Sequence, residues 1–143
     1  MFKYVLAAGL VVLFSGLFHA QGNKMDSAAV VSASSPLYPA NALVVRASGD
    51  IQVDVEIDKA GKVSSAHVVS GHPLLRKASE EAARRWQFAP AVNDEKKRKI
   101  QLTFAFRIVD KKAPRADVTS VFFPPYRVEV RNEPLKVKTY SSH

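Results

Sequence analysis

Two stretches of the chain alternate between apolar and polar residues. Ile51, Val53, Val55 and Ile57 alternate with Gln52, Asp54, Glu56 and Asp58, and later Ile100, Leu102, Phe104, Phe106 and Ile108 alternate with mostly smaller or more polar residues. A period of two belongs to a strand with one buried face, so both stretches read as half-buried strands. The period changes between them: Leu74, Leu75, Ala78, Ala82 and Trp86 fall near one face of a helix that Gly71-His72-Pro73 starts. Glu80 to Arg84 and Glu81 to Arg85 form i to i+4 pairs on the other side, read as a solvated face. Strands with apolar faces to cover and one amphipathic helix predict an α+β fold. The expected architecture is a small antiparallel sheet in β-β-α-β order with one main helix packed on it.

The connections refine this order. Asp58-Lys59-Ala60-Gly61-Lys62 supplies a turn, with Asp to bond backbone and Gly to take a positive φ, so Ile51–Ile57 and Val63–Val69 form a hairpin. The inward face of the second strand stays open, because Ser65 and His67 share the parity of Val63 and Val69. Pro36-Leu37-Tyr38-Pro39 punctuates the chain, Pro39 suits the start of a short helix over Ala40 to Ala47, and Gly49 ends it. The main helix closes in Arg84-Arg85-Trp86-Gln87-Phe88-Ala89-Pro90, which sends the single tryptophan and a phenylalanine toward the core.

Past a polar linker from Lys111 to Asp117, Val121-Phe122-Phe123-Pro124-Pro125-Tyr126 is strongly apolar. Arg127–Arg131 and Leu135–Tyr140 alternate around Asn132-Glu133-Pro134, which predicts a C-terminal β-hairpin extension. Packing of this hairpin over a sheet edge is favoured over a partner-binding patch of Phe122, Phe123 and Tyr126, since large exposed apolar patches are rare.

The N-terminus changes the address. Lys3, the apolar run Tyr4 to Phe18 and Ala20 read as a secretory signal peptide over residues 1–20, with an uncleaved inner-membrane anchor as the alternative. Residues 21–34, small and polar, read as a flexible tether before a domain at 35–110 and the 111–143 linker and hairpin. There is no cysteine, so the fold is held by packing alone. A formal net charge of +8 favours acidic surfaces. Export excludes nucleic acid as the partner and leaves lipopolysaccharide or peptidoglycan for a weak polyanion contact at Lys96, Lys97, Arg98 and Lys99, a run that otherwise reads as a solvated connector. His67 and His72 lack further ligands at metal-site spacing, and no nucleophile elbow or Ser-Lys pair is present. The expectation is a binding protein, not an enzyme, with no metal and no cofactor.

Tyr38-Pro39-Ala40, Gly49 before an alternating strand, the Asp58 to Gly61 turn and the Arg84–Pro90 run resemble, in order and joint spacing, the C-terminal domain of the TonB family. The resemblance spans roughly Pro36 to Val109, and its structural signature is Gly49, Gly61, Arg84, Arg85, Trp86, Phe88 and Pro90. It implies a periplasmic domain that binds the TonB box, a short peptide of an outer-membrane receptor, by strand addition in TonB-linked transport and energy transduction. The residues it implies for peptide binding are Pro36, Tyr38 and Pro39, and, on the strand from Ile100 to Val109, Gln101, Thr103, Ala105 and Arg107. Ser35 and Leu37 depart from the family's Gln-Pro-Ala-Tyr-Pro segment. The long proline-rich spacer of energy-transducing members is also missing. Ser15 and His19 repeat the family's Ser-x-x-x-His anchor spacing, so an ExbB/ExbD-type motor is an expected partner only if the N-terminus remains as an anchor. The alternative function is structural: an envelope component that uses the same fold and basic surface to form a homodimer or to bind cell-wall polymer.

Overall fold

The computed structural model describes residues 26–92, 97–110, 112, 114, 118–136 and 138. The expected leader with Ser15 and His19, the start of the tether, Lys96 and most of the 111–117 linker lie outside the described residues. In chain order the elements are β1 (Val30–Ser32), α1 (Ala40–Val44), β2 (Gly49–Ile57), β3 (Val63–Ser70), α2 (Pro73–Arg84), β4 (Gln87–Phe88), β5 (Arg98–Ile108), β6 (Ser120–Phe123) and β7 (Arg127–Asn132). The main sheet has the order β3-β2-β5-β7-β6, and β1 and β4 form a second, two-stranded ribbon. Among the described residues no helix is long and apolar enough to cross a membrane.

The two alternating stretches form neighbouring strands. β2 and β5 pair antiparallel from Gly49↔Phe106 to Ile57↔Arg98, with Ile51, Val53, Val55 and Ile57 buried on one side together with Ile100, Leu102, Phe104 and Phe106. Helix α2 packs on β2 and β3 and buries Leu75, Ser79, Ala82 and Ala83. Ser79 is tolerated at 0% exposure because its hydroxyl donates to Leu75 O at 2.8 Å. In β3 the parity left open by the sequence resolves to Ala66 and Val68 inside and His67 and Val69 outside. Register shifts near both ends of the β2–β3 pairing explain why Val63 does not follow a simple count. Glu80 is half-buried rather than simply solvated: its carboxylate accepts from Val68 N–H at 3.2 Å.

Helix α2 does not reach the other half of the sheet. That half is covered by the segment after the helix: Trp86 stands edge-on to Phe104 (centroids 6.1 Å apart) and to Phe122 (5.9 Å), and Phe88 lies beside Tyr126 (6.4 Å). The expected antiparallel sheet is therefore corrected to a mixed one, because β7 runs parallel to β5 from Thr103↔Arg127 to Ile108↔Asn132. The expected C-terminal hairpin forms, but in another place. Its strands are β6 and β7, and the reversal is at Pro124-Pro125-Tyr126, with a cis peptide between the prolines. The physical reason is the apolar segment before the turn. Phe122 packs in a T-shaped arrangement with Trp86, whereas Pro134 has no amide to donate and residues 133–136 form no strand.

The described part of the tether is also corrected. Residues 26–35 lie along the domain: Val30 pairs with Phe88 and Ser32 with Gln87, Ala89 N–H donates to Ala29 O at 2.8 Å, and the Trp86 indole N–H donates to Ser34 O at 2.9 Å. Small residues at Ala28 and Ala29 let this arm approach closely, and Ala28 is buried.

Candidate functional site: the outer edge of β5

Main-chain groups of successive strand residues point to opposite sides of the strand. On β5, Thr103 N–H donates to Tyr126 O at 2.9 Å and, just beyond the strand, Val109 N–H donates to Asn132 O at 3.0 Å. By the same alternation Ala105 and Arg107 face β7, and the even-numbered residues face β2. Gln101, Thr103, Ala105 and Arg107 thus direct their main chains toward the outer edge of the three-stranded unit β3-β2-β5. In this chain that edge is occupied. β7 fills it from Thr103 onward, and toward the start of the strand Asp26 N–H donates to Lys99 O at 3.1 Å while Lys99 N–H donates to Asp26 Oδ2 at 3.0 Å. β5 is therefore a central strand, with the C-terminal hairpin packed over its outer edge.

The side chains on the outer face of the sheet form a polar lattice. Arg107 Nη2 donates to Asp50 Oδ1 at 2.6 Å and Arg127 Nη1 to Asp50 Oδ2 at 3.0 Å, so one carboxylate on β2 ties together β5 and β7. Burial alone would raise the Asp50 pKa, but the hydrogen bonds from Arg107 and Arg127, with their charges, hold it below the ordinary 3.8. Gln101 Nε2 donates to Asp54 Oδ1 at 2.9 Å in the next row but one. Ala105 is fully buried under its neighbours.

The Pro36–Pro39 segment is divided by its conformation. Pro36 and Tyr38 turn inward and are buried, while Leu37 is 85% exposed and Pro39 half-buried. Tyr38 stacks edge-on against Phe106 with centroids 5.0 Å apart, and its hydroxyl donates to Ala47 O. Burial raises the Tyr38 pKa against the opposing charge of Arg107. Tyr38 is thus a core residue. A partner at this segment would meet Leu37 and Pro39, which line a groove with Leu74, Lys77 and Ala78 of α2.

The described part of the expected cationic run, Lys97 to Lys99, divides between the two faces of the strand. Strand alternation sends Lys97 and Lys99 to Glu56, at 3.7 and 4.0 Å, and turns Arg98 the other way, where Nη2 donates to Ala89 O at 2.8 Å. Two of these cations are therefore answered by a carboxylate, and the third is spent on backbone.

Two of the signature residues, Gly61 and Phe88, meet in one contact. Asp58 Oδ1 accepts from Ala60 N–H (3.0 Å) and Lys62 N–H (2.9 Å), closing the β2–β3 turn and presenting Gly61 to β4. Phe88 N–H donates to Gly61 O at 2.8 Å, and a Cβ on Gly61, at φ 89°, would stand 1.9 Å from Phe88 O. Trp86 and Phe88 are 1% and 2% exposed, whereas Arg84, Arg85 and Pro90 lie outside, Arg84 within 3.9 Å of Glu80. Gly49 opens β2 at φ 124°.

Three residues at the edge are not marked by the sequence: Asp26, Ala28 and Asp50. Tyr126 stands out there only as part of the apolar segment with Phe122 and Phe123, because its hydrogen-bonding partner is 98 positions away. Nothing local marks the other three.

Among the described residues the outermost strands of the sheet are β3 and β6. Arg131 N–H donates to Thr119 O at 3.0 Å, so by antiparallel alternation the main-chain groups of Ser120 and Phe122 point away from β7. Phe122 and Phe123 are each 41% exposed along β6.

The family described as Gram-negative bacterial TonB protein C-terminal matches residues 34–108. Among solved structures, the solution NMR structure of the Pseudomonas aeruginosa TonB C-terminal domain is similar at 26% identity and a TM-score of 0.45, covering 62% of this chain and 93% of that one. No curated protein matches.

Proposed function

Because the chain belongs to the family of Gram-negative bacterial TonB protein C-terminal domains, non-enzymatic periplasmic domains of TonB-dependent transport, we propose that it binds an extended segment of an outer-membrane transporter by strand addition at the outer edge of β5. The observation that carries this reading is the parallel pairing of β5 with a six-residue segment, Arg127 to Asn132, through the side on which Thr103, Ala105 and Arg107 direct their main chains. Strand addition of this kind draws attachment from backbone hydrogen bonds and selectivity from alternate side chains. The leader at residues 1–20 would deliver the domain to the periplasm.

The test is a titration of the 15N-labelled protein with the N-terminal periplasmic peptide of a transporter from the same organism. The expected result is amide shifts concentrated at Thr103, Ala105 and Arg107. Saturating peptide that leaves these amides unmoved would exclude the mechanism.

A second reading, self-association, is favoured by β6 alone: its outward main chain has no backbone partner among the described residues, and Phe122 and Phe123 flank it half exposed. Sedimentation across a hundredfold range of concentration separates the two, since a strand-paired homodimer would dissociate on dilution and a peptide-binding monomer would not change.

A further inference from the structure

We propose that the two segments flanking the family match, the arm around Asp26 to Ala28 and the β6–β7 hairpin, form one removable lock over the outer edge of β5, and that β7 prescribes the kind of strand that replaces it. The inference rests on the reading of that edge as the transporter-binding site.

Three observations place the lock. Both segments lie outside residues 34–108, one before and one after, yet both act on the same strand: Asp26 engages Lys99, and β7 engages Thr103 through Ile108. They are fastened to each other by Tyr126, whose Oη accepts from Ala28 N–H at 2.9 Å and donates to Ala28 O at 3.0 Å, and the hairpin is also held to the matched domain, where Ser120 Oγ lies 2.6 Å from Ser35 Oγ. Their side-chain hold on the core is limited to Val128 and Val130 of β7, the part-exposed Phe122 beside Trp86, the half-buried Tyr126 beside Phe88, and the buried Ala28 of the arm.

Asp50 keeps the short bond from Arg107 when Arg127 goes. The outward main chains of β5 and the space vacated by two valines then need a substitute, which defines the ligand: an extended segment of about six residues, parallel to β5, with apolar side chains at two positions two residues apart. The intervening positions, now Arg127, Glu129 and Arg131, lie on the polar face and accept hydrophilic residues. Because the incoming strand must displace an existing one, its apparent affinity is reduced by the fraction of molecules that are locked. Weakening the clamp therefore raises affinity without touching the binding edge.

The experiment compares the full chain with its Tyr126→Phe variant, which keeps the ring and deletes both bonds to Ala28. Ser120→Ala, which removes the hairpin's contact with Ser35, serves if the first variant does not fold. Amide hydrogen exchange is read at Thr103, Ala105 and Arg107 against Leu102 and Phe104, and binding is read with a synthetic peptide of residues 125–133 added in trans. The outward amides are expected to exchange about tenfold faster in the variant, with the inward pair unchanged. The peptide is expected to bind the variant about tenfold tighter than the unaltered protein, and a control peptide carrying Val128→Asp and Val130→Asp is expected not to bind. Identical exchange at all five amides in both proteins, or equal peptide affinity for both, would overturn the lock. Faster outward exchange and trans-peptide binding, with no binding of the transporter peptide, would uphold the lock and remove the transporter reading.

Discussion

Tyr126 holds Ala28 by both of its main-chain groups, accepting from the amide at 2.9 Å and donating to the carbonyl at 3.0 Å. A single hydroxyl thus completes the hydrogen bonding of a backbone unit that packs against the sheet with no strand partner of its own. Its ring lies beside Phe88, so the clamp is seated on the residues that close the core after α2. The N-terminal arm, the helix exit and the C-terminal hairpin meet at this one position.

Trp86→Ala is expected to destabilise the domain by about 3–5 kcal/mol, the usual cost of emptying a large buried aromatic site. The indole is 1% exposed, stands against Phe104 and Phe122, and donates to Ser34 O. Urea denaturation followed by circular dichroism measures the loss. Since Trp86 is the one tryptophan in the chain, the emission of the unaltered protein should shift to the red in step with unfolding.

Gly61→Ala should cost at least about 2 kcal/mol through backbone strain and a steric conflict together. The residue sits at φ 89° and a Cβ would stand 1.9 Å from Phe88 O. Thermal unfolding should show a lower midpoint, while an alanine at the neighbouring exposed Lys62, which has no such contact, should leave it nearly unchanged.

Asp50 sets an acid limb on stability. Its pKa in the fold lies below the ordinary 3.8 because Arg107 and Arg127 bind the ionised form more strongly than burial opposes it. Between the two values the unfolded chain binds a proton that the native state does not, so stability rises with pH there. The contribution is fully present above about pH 4 and disappears as pH falls through the folded value. Asp50→Asn should flatten denaturation midpoints measured between about pH 5 and 2.5 relative to the unaltered protein.

Thr103→Pro should unfold the sheet locally rather than act as a clean binding defect. In a central strand the missing amide removes the bond to Tyr126 O, and the ring disturbs pairing on both sides, at a cost of about 3 kcal/mol or more. A lowered melting midpoint together with rapid exchange at Arg107 and Val109 is the expected signature. An unchanged midpoint would mean that β7 contributes nothing to holding β5.

Much of the molecule was legible along the chain because it depends on near neighbours. The alternation of Ile51–Ile57 and of Ile100–Ile108 determined which faces of β2 and β5 are buried. Asp58 and Gly61 determined the turn between β2 and β3, and the Pro73-led amphipathic run determined α2. These features derive from a period, a cap or a permitted φ, all of which a few consecutive residues specify. The joint spacing of Gly61, Trp86 and Phe88 also pointed to the family, since the packing of Phe88 against Gly61 requires those residues together.

Tertiary structure alone decided what lies beside β5. Apolar alternation marks a strand's faces but says nothing about its edges, because every residue carries the same amide and carbonyl whatever its side chain. Val128 and Val130 were readable as inward positions, but not that their strand would run parallel to β5 and fill its edge. The pairing of Asp26 with Lys99, of Asp50 with Arg127 and of Ala28 with Tyr126 joins residues far apart in the chain, and each needs only a small or charged side chain that could sit anywhere on a surface. For the same reason Tyr38 read as a contact residue and proved to be core: its sequence neighbours are prolines that shape the backbone, while the pocket that receives its ring is built by Phe106 and Ala47 from other elements. The order of strands, and with it the state of the binding edge, is a property of the assembled sheet.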